Sequence, residues 1–256
     1  MSAPRCQIVI PARLASTRLP EKLLRRVAGK TVLQFTYEAA MRSDVAENVV
    51  VAVDDVRIAD EVESFGGRWF MTRVDHASGT DRIAEVAAAM PDVDVFVNVQ
   101  GDEPEIDPAI IDRVARCLID DANADLSTAG VPIRDAASLD DPAKVKIVMA
   151  GMNEAGQGRA VYFSRSSVPH VRDGVTADSL AVEPPLFWHH IGLYAYRRAF
   201  LNWFSGQSVS LLEATEKLEQ LRAIEAGKRV VVARAEHAAP GIDTLADLEA
   251  FRIRIE

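Results

Sequence analysis

A basic surplus is missing from this chain: 29 Lys and Arg face 38 Asp and Glu over 256 residues, a net charge of −9, with no long basic stripe. Nucleic-acid binders normally carry one or the other, so any anionic ligand must be met by a local positive cluster. Long apolar runs are missing too. None approaches the roughly 20 residues that span a bilayer, and the stretch through Pro4 and Arg5 has no signal-peptide hydrophobic region. The expectation is a soluble, cytoplasmic protein without nucleic-acid or membrane partners. Cysteine is scarce: Cys6 opens a predicted strand and Cys117 lies in a predicted helix, so two buried thiols are expected rather than a disulfide. No Cys/His spacing suits zinc. The Walker pattern, a Gly-x-Gly-x-x-Gly after the first strand, and a nucleophile elbow around Ser164 or Ser166 are all absent. P-loop and nicotinamide chemistry are therefore poorly supported.

What is present is a globular mix, 48% hydrophobic and 26% charged, in a chain long enough for one large α/β domain or a domain with an added lobe. A β-branched run at 8–10 suits a buried strand. Pro11 and Pro20 then bracket a loop that supplies Arg13 and Arg18, with Lys22 just after. Such a loop can hold a polyphosphate, and its plain alternative is a solvated basic turn. Helices are predicted over 32–41 (capped by Thr31), 56–65 (stopped by Gly66-Gly67) and 80–90, alternating with strands over 48–53, 68–72 and 93–99. A helix over 108–118 and a strand over 126–131 follow. This alternation predicts an α/β fold with a mostly parallel sheet covered by helices on both faces.

From Asp140 the rhythm breaks. A strand over 144–149, a glycine-rich turn over 151–158 and an antiparallel return over 160–163 are expected, then an irregular stretch over 171–185 and a strand over 193–196. One helix is predicted over 213–226 from the stripe Leu218, Leu221 and Ile224, then a strand over 230–233 and a helix over 244–252 capped by Thr244. The organisation reads as a core over 1–142, a smaller lobe over 143–210, and a return to the core over 211–256.

In open parallel sheets, ligands gather outside the carboxyl ends of the strands. Three clusters follow predicted strands: the basic loop, Gln100-Gly101-Asp102, and Pro240-Gly241-Ile242-Asp243. Mg²⁺ takes carboxylate, phosphate and water oxygens, which makes Asp102 and Asp243 the candidate metal ligands, with Gly101 admitting a close backbone approach. Turn-capping and helix-capping are the structural alternatives for the two acids. The segment 72–82 adds Arg73, His76 and Arg82 at a helix N-terminus, a place that attracts anions and can read a base edge. Ser78 with Asp81 also fits a capping box.

Together these segments resemble the 3-deoxy-manno-octulosonate cytidylyltransferases, or CMP-Kdo synthetases, over nearly the whole chain. The likeness is carried by 10–22, by 71–82 with 98–104, by 161–165, and by 190–196 with 218–222 and 241–243. It implies a Rossmann-like nucleotidyltransferase sheet with a smaller α+β dimerisation and sugar lobe. It implies transfer of CMP from CTP to Kdo with Mg²⁺, release of pyrophosphate, a role in lipopolysaccharide biosynthesis, and a homodimer. Carried over residue by residue, Arg13, Arg18 and Lys22 match the triphosphate loop, and Arg73, Ser78 and Gln100 match positions near the cytidine. Asp102 and Asp243 match the magnesium carboxylates, so that Lys22, Asp102 and Asp243 form the catalytic set. Arg165, His190, Tyr194, Glu219 and Gln220 match the sugar-acid pocket. Three places depart from the family. Glu21-Lys22-Leu23 stands where Gly-Lys-Pro is usual, and an acid there should repel a triphosphate unless it points away or binds metal indirectly. Val168-Pro169-His170 holds a histidine where an aromatic is usual, and the stretch from Val171 to Pro185 also matches poorly. A cytidylyltransferase for another acidic sugar (an amino-Kdo or a sialic acid) and a non-catalytic nucleotide-binding relative are the alternatives.

Overall fold

The computed structural model describes residues 4–16, 18–45 and 47–256. Its first half alternates as expected: β1 (Cys6–Ala12), a 3₁₀ turn (Lys22–Leu24), a small ribbon of β2 (Arg26–Val27) and β3 (Lys30–Thr31), α1 (Val32–Ala40), β4 (Val49–Val53), α2 (Val56–Ser64), β5 (Trp69–Met71), α3 (Gly79–Ala89), β6 (Val95–Asn98), α4 (Pro108–Asp120) and β7 (Leu126–Pro132). The caps are local chemistry. Thr31, Asp55, Ser78 and Asp107 each accept a main-chain N–H of the turn that follows, one of the donors a helix start leaves unpaired. The second half adds α5 (Ala136–Asp140), β8 (Lys146–Ala150), β9 (Gln157–Ser164), α6 (Ala177–Ala181), β10 (Trp188–Arg197), α7 (Arg198–Phe204), α8 (Leu211–Glu216), α9 (Leu221–Glu225), β11 (Val230–Arg234) and α10 (Leu245–Ile255).

Nine strands form one sheet in the order β5-β4-β1-β6-β10-β7-β11-β9-β8. The β-branched runs are continuous because both faces are covered. Ile8 and Ile10 face α1, α2 and α4, while Val9 and Phe96 face α3 and α7. The expectation of a mostly parallel sheet holds only for β5-β4-β1-β6 and for β7 beside β11. Beyond them the sheet is mixed. β10 enters antiparallel between β6 and β7, and β9 runs antiparallel to β11 and β8. No helical crossover delivers β10 to its neighbours, so nothing obliges it to run parallel.

β10 also divides the sheet. Up to a bulge between Ile191 and Tyr194, its free edge meets β8 through His189 and Lys146; past the bulge the same edge meets β6 through Tyr194 and Asn98. The pairings β10–β7–β11–β9–β8 therefore close back on β10. The carboxyl end of β6 is left facing a gap, and the rim clusters face the same gap. No helix among the described residues is long and apolar enough to cross a membrane, and Cys6 and Cys117 are both buried and unpaired.

The single helix expected over 213–226 is instead two, α8 and α9, broken at Lys217, which takes a left-handed backbone (φ 55°). The reason is a buried ion pair. Arg222 Nε and Nη2 donate to the two carboxylate oxygens of Glu213 at 2.7 and 2.5 Å, and the guanidinium lies 3.9 Å from the Phe204 ring centroid. Nine residues of straight helix would hold the two about 13.5 Å apart along the axis; the corner brings them together. Both side chains are about 90% covered, and removing one partner strands a buried charge. Arg222→Ala is therefore expected to cost roughly 3–5 kcal/mol in urea denaturation, whereas the apolar pair Glu213→Leu with Arg222→Met should cost far less.

Candidate active site

Three loops meet at the carboxyl ends of β1, β6 and β11. Lys22 Nζ donates to Asp102 Oδ2 and, at 2.9 Å, to Asp243 Oδ1. Arg18 reaches the same Asp243 oxygen at 2.9 Å. The Lys22 side chain is only 13% exposed. Burial by itself lowers the ammonium's pKa, but Asp102 and Asp243 overcome this and hold it above the ordinary lysine value, so it stays charged. The arrangement is supported from beneath. Ile242, buried beside Leu19, Val32 and Phe251, donates its N–H to Asp102 O at 2.8 Å, which ties the two aspartate loops together. Asp243 lies just ahead of α10, whose start is closed by a full Thr244–Asp247 capping box. The glycine at 101 serves packing: a Cβ there would sit 3.3 Å from Leu23 and 3.4 Å from Ile10, which sets the loop tightly against the Lys22 turn instead of opening it to a ligand.

Glu21 does not face this cleft. In a left-handed backbone (φ 53°), it accepts from Arg57 Nη1 at 3.0 Å, and Arg57 is held in turn by Asp55. The acid beside the basic loop is turned aside and neutralised by α2.

Next to the Lys22 cluster lie two adjoining cavities. One, about 140 Å³, is lined by Arg13, Ser16, Lys22, Gln100 and Asp102. The other, about 280 Å³, is lined by Arg13, His76, Ser78, Gly79, Arg82 and Gln100. Arg13 and Gln100 belong to both. Arg13 forms no ion pair or hydrogen bond among the described residues, and Gln100 donates to Gly192 O at 3.2 Å, anchoring the cleft to the β10 bulge. Arg73 is not brought in: its guanidinium is exposed and paired with Asp75 at 2.7 Å. Ser78 caps α3 as expected, but Asp81 binds its hydroxyl at 2.9 Å, not its main-chain N–H.

Arg82 and Asp54 were not singled out as a pair by sequence reasoning. They form a buried ion pair at 3.1 Å, and Asp54 also accepts Leu14 N–H at 2.9 Å, so the pair braces the basic loop. The signal existed: Asp54 ends β4 and obeys the same end-of-strand rule as Asp102.

The second wall carries the remaining candidates. His190 and Tyr194 project from β10 with ring centroids 5.3 Å apart, Tyr194 stacks on Tyr196 at 5.6 Å, and Thr128 Oγ1 lies 3.0 Å from His190 Nε2. Glu219 and Gln220 occupy the corner between α8 and α9. Burial raises the Glu219 carboxyl, and the Thr80 hydroxyl that donates to it, together with the nearby Ser78 hydroxyl, works against that rise. Gln220 is 8% exposed, and its Nε2 is among the buried atoms with no partner. Arg165 braces the same corner, donating to the carbonyls of Glu216 (2.8 Å), Pro142 (3.0 Å) and Lys217 (3.5 Å). Much of its donor capacity is thus spent on main chain.

No group of three or more His, Cys, Asp or Glu among the described residues could hold a metal unaided. Two carboxylates at the edge of a cationic cleft nonetheless fit Mg²⁺, which takes one or two carboxylates and completes its shell with phosphate and water.

Burial, then His189, pushes the His190 imidazole down to about 3. The unfolded chain therefore takes up a proton that the folded chain refuses between about pH 6.5 and that value. Stability from this group is complete above pH 6.5 and falls as pH drops, by at most about 1.4 kcal/mol per pH unit. A His190→Gln variant should show a visibly flatter decline in urea midpoint from pH 6.5 to 4.

The family model described as "Cytidylyltransferase" matches residues 7–230. A "3-deoxy-manno-octulosonate cytidylyltransferase" of Rhodopirellula baltica is 58% identical over 252 residues, 98% of this chain and 99% of that protein. One of the same name from Syntrophotalea carbinolica is 45% identical over 97% of this chain and 96% of that protein. Among solved structures, a "CMP:2-keto-3-deoxy-manno-octonic acid synthetase complexed with CTP" superposes with a TM-score of 0.88 at 38% identity, covering 98% of both chains. Two "4-diphosphocytidyl-2C-methyl-D-erythritol" synthases, at 13% and 14% identity with TM-scores of 0.61 and 0.63, share the fold. With full-length matches of this depth, the chain belongs to the cytidylyltransferase family, among the 3-deoxy-manno-octulosonate cytidylyltransferases.

Proposed function

We propose that this protein transfers CMP from CTP to the anomeric hydroxyl of Kdo, giving CMP-Kdo and pyrophosphate for lipopolysaccharide biosynthesis. The observation that carries the reading is the convergence of Lys22 on Asp102 and Asp243 beside a cationic cleft. The base occupies the larger cavity, where Ser78, Gln100 and the main-chain N–H groups at the start of α3 meet its edge; Arg73, held by Asp75, does not line it. The triphosphate lies along Arg13, Arg18 and Lys22. Kdo sits against His190, Tyr194, Glu219 and Gln220, with the remaining N–H groups of Arg165 available to its carboxylate.

The anomeric oxygen attacks the α-phosphorus in line. Its bond to phosphorus forms as the bond to the bridging oxygen of the β-phosphate breaks, pyrophosphate departs with that electron pair, and the hydroxyl proton is lost to solvent. No covalent enzyme intermediate is needed. Positioning, which can supply roughly 7–11 kcal/mol, and neutralisation of the leaving group by Lys22 and the loop arginines carry the rate. Asp102 and Asp243 would hold Mg²⁺, whose chemistry there would be Lewis-acid polarisation of the phosphate and acidification of the attacking hydroxyl.

We further propose the division into a core over 1–142, a dimerisation and sugar lobe over 143–210, and a return over 211–256. An apolar cavity of about 670 Å³ lined by Met149, Met152, Leu186 and Trp188 supports an interface between two copies on that lobe.

The deciding experiment is a pyrophosphate-release assay with CTP, Mg²⁺ and Kdo, with ATP, GTP, UTP and a sialic acid as controls. Release should need CTP and Kdo together. Asp102→Asn and Asp243→Asn should each lower kcat at least roughly 100-fold; near-normal turnover of either would end the metal assignment.

A further inference from the structure

Thr80 lies in the first turn of α3, on the nucleotide side of the cleft, yet its side chain turns away from the cavity and is 2% exposed. Its hydroxyl donates to Glu219 Oε1 and lies 3.1 Å from the Tyr196 hydroxyl. One small side chain thereby joins three elements that are distant in sequence: α3, β10 and the α8–α9 corner.

The corner needs such a partner. It is held from outside by Arg165, through the carbonyls of Glu216 and Lys217, and from below by the Arg222–Glu213 pair. Neither of those touches the Glu219 side chain. Next to it, the Gln220 amide has a buried, unpartnered Nε2 in a residue that is 8% exposed. A carboxylate has two oxygens and about four lone-pair sites. A donor fixed on Oε1 settles the plane of the group, with the Ser78 hydroxyl nearby, and leaves remaining lone pairs of the carboxylate to accept from a polyhydroxylated ligand.

We propose that Thr80 is a positioning residue for the acceptor: its hydroxyl sets the Glu219 carboxylate, and with it the corner that carries Gln220, for the hydroxyls of the sugar acid. This rests on the CMP-transfer reading given above. Thr80 touches neither substrate. Because α3 also forms the wall of the base cavity, the same contact ties the acceptor corner to the nucleotide side.

The test compares Thr80→Val, which keeps the shape and removes the hydroxyl, with Thr80→Ser, which restores it. A hydrogen bond to a charged group is worth enough to change affinity about tenfold or more. The expected result is a KM for Kdo raised at least tenfold in Thr80→Val, a KM for CTP within about twofold of the parent, and recovery of the Kdo KM in Thr80→Ser. An unchanged Kdo KM in Thr80→Val, an equal rise in the CTP KM, or a failure of Thr80→Ser to recover would overturn the proposal. Should Thr80→Val not fold, Thr80→Ala carries the same readouts. Calorimetric titration of Kdo into the parent and the variants, with CTP present, separates this from the wider reading. If the parent binds Kdo but releases no pyrophosphate, the transfer reading fails, and weakened binding in the variant still supports the positioning role. If the parent neither binds nor turns over Kdo, both fall.

Discussion

The contact on which the molecule turns is one ammonium held by two carboxylates that lie 80 and 221 residues away from it. Two carboxylates that converge on one point repel each other. Lys22 offsets that repulsion with a side chain only 13% exposed, against carboxylates that are 27% and 42% exposed. The requirement propagates outward. β1, β6 and β11 must end on the same rim, with Ile242 lodged beneath, before the three groups can meet. An exposed ion pair would be worth little; this one is the place where three distant loops are brought into register.

The antiparallel insertion of β10 gives that rim a second wall. Because one edge of β10 serves β8 and then β6, the sheet parts at the bulge, and Gln100 bridges the opening through the Gly192 carbonyl. The basic loop lies on one side, the histidine and tyrosines on the other. A continuous parallel sheet would have provided a rim without that opposite wall.

Much of this was legible beforehand, and the unread parts share a cause. Strands at 8–10 and 48–53, and caps at Thr31, Ser78 and Thr244, declare themselves through local composition, and the end-of-strand rule picks out Asp102. Strand direction has no such mark: a β-branched run buried on both faces reads the same whichever way it runs. The antiparallel pair β8 and β9 is legible through its glycine-rich turn, but the antiparallel place of β10 between β6 and β7 is not. The corner at Lys217 is hidden for a related reason. It carries no glycine or proline, and the periodic stripe from Leu218 to Ile224 continues through it. What breaks the helix is a pair of charges at 213 and 222 that must meet, a tertiary demand beyond a local window. Arg73 and Arg165 show the converse. Their residue type suits anion binding, but neighbours at Asp75 and the Glu216 carbonyl claim much of their bonding capacity.

The backbone at Glu21 has one more consequence. Glycine enters a left-handed turn freely, but a side chain there costs about 1 kcal/mol or more, and the residue immediately precedes the lysine on which the cleft depends. Its side chain is tethered by Arg57, an outward-facing partner. Dissolved ions weaken such tethers, with a screening length of about 10 Å at 0.1 M. Salt would thus weaken what holds the Glu21 side chain aside, one residue from the lysine that gathers the two aspartates.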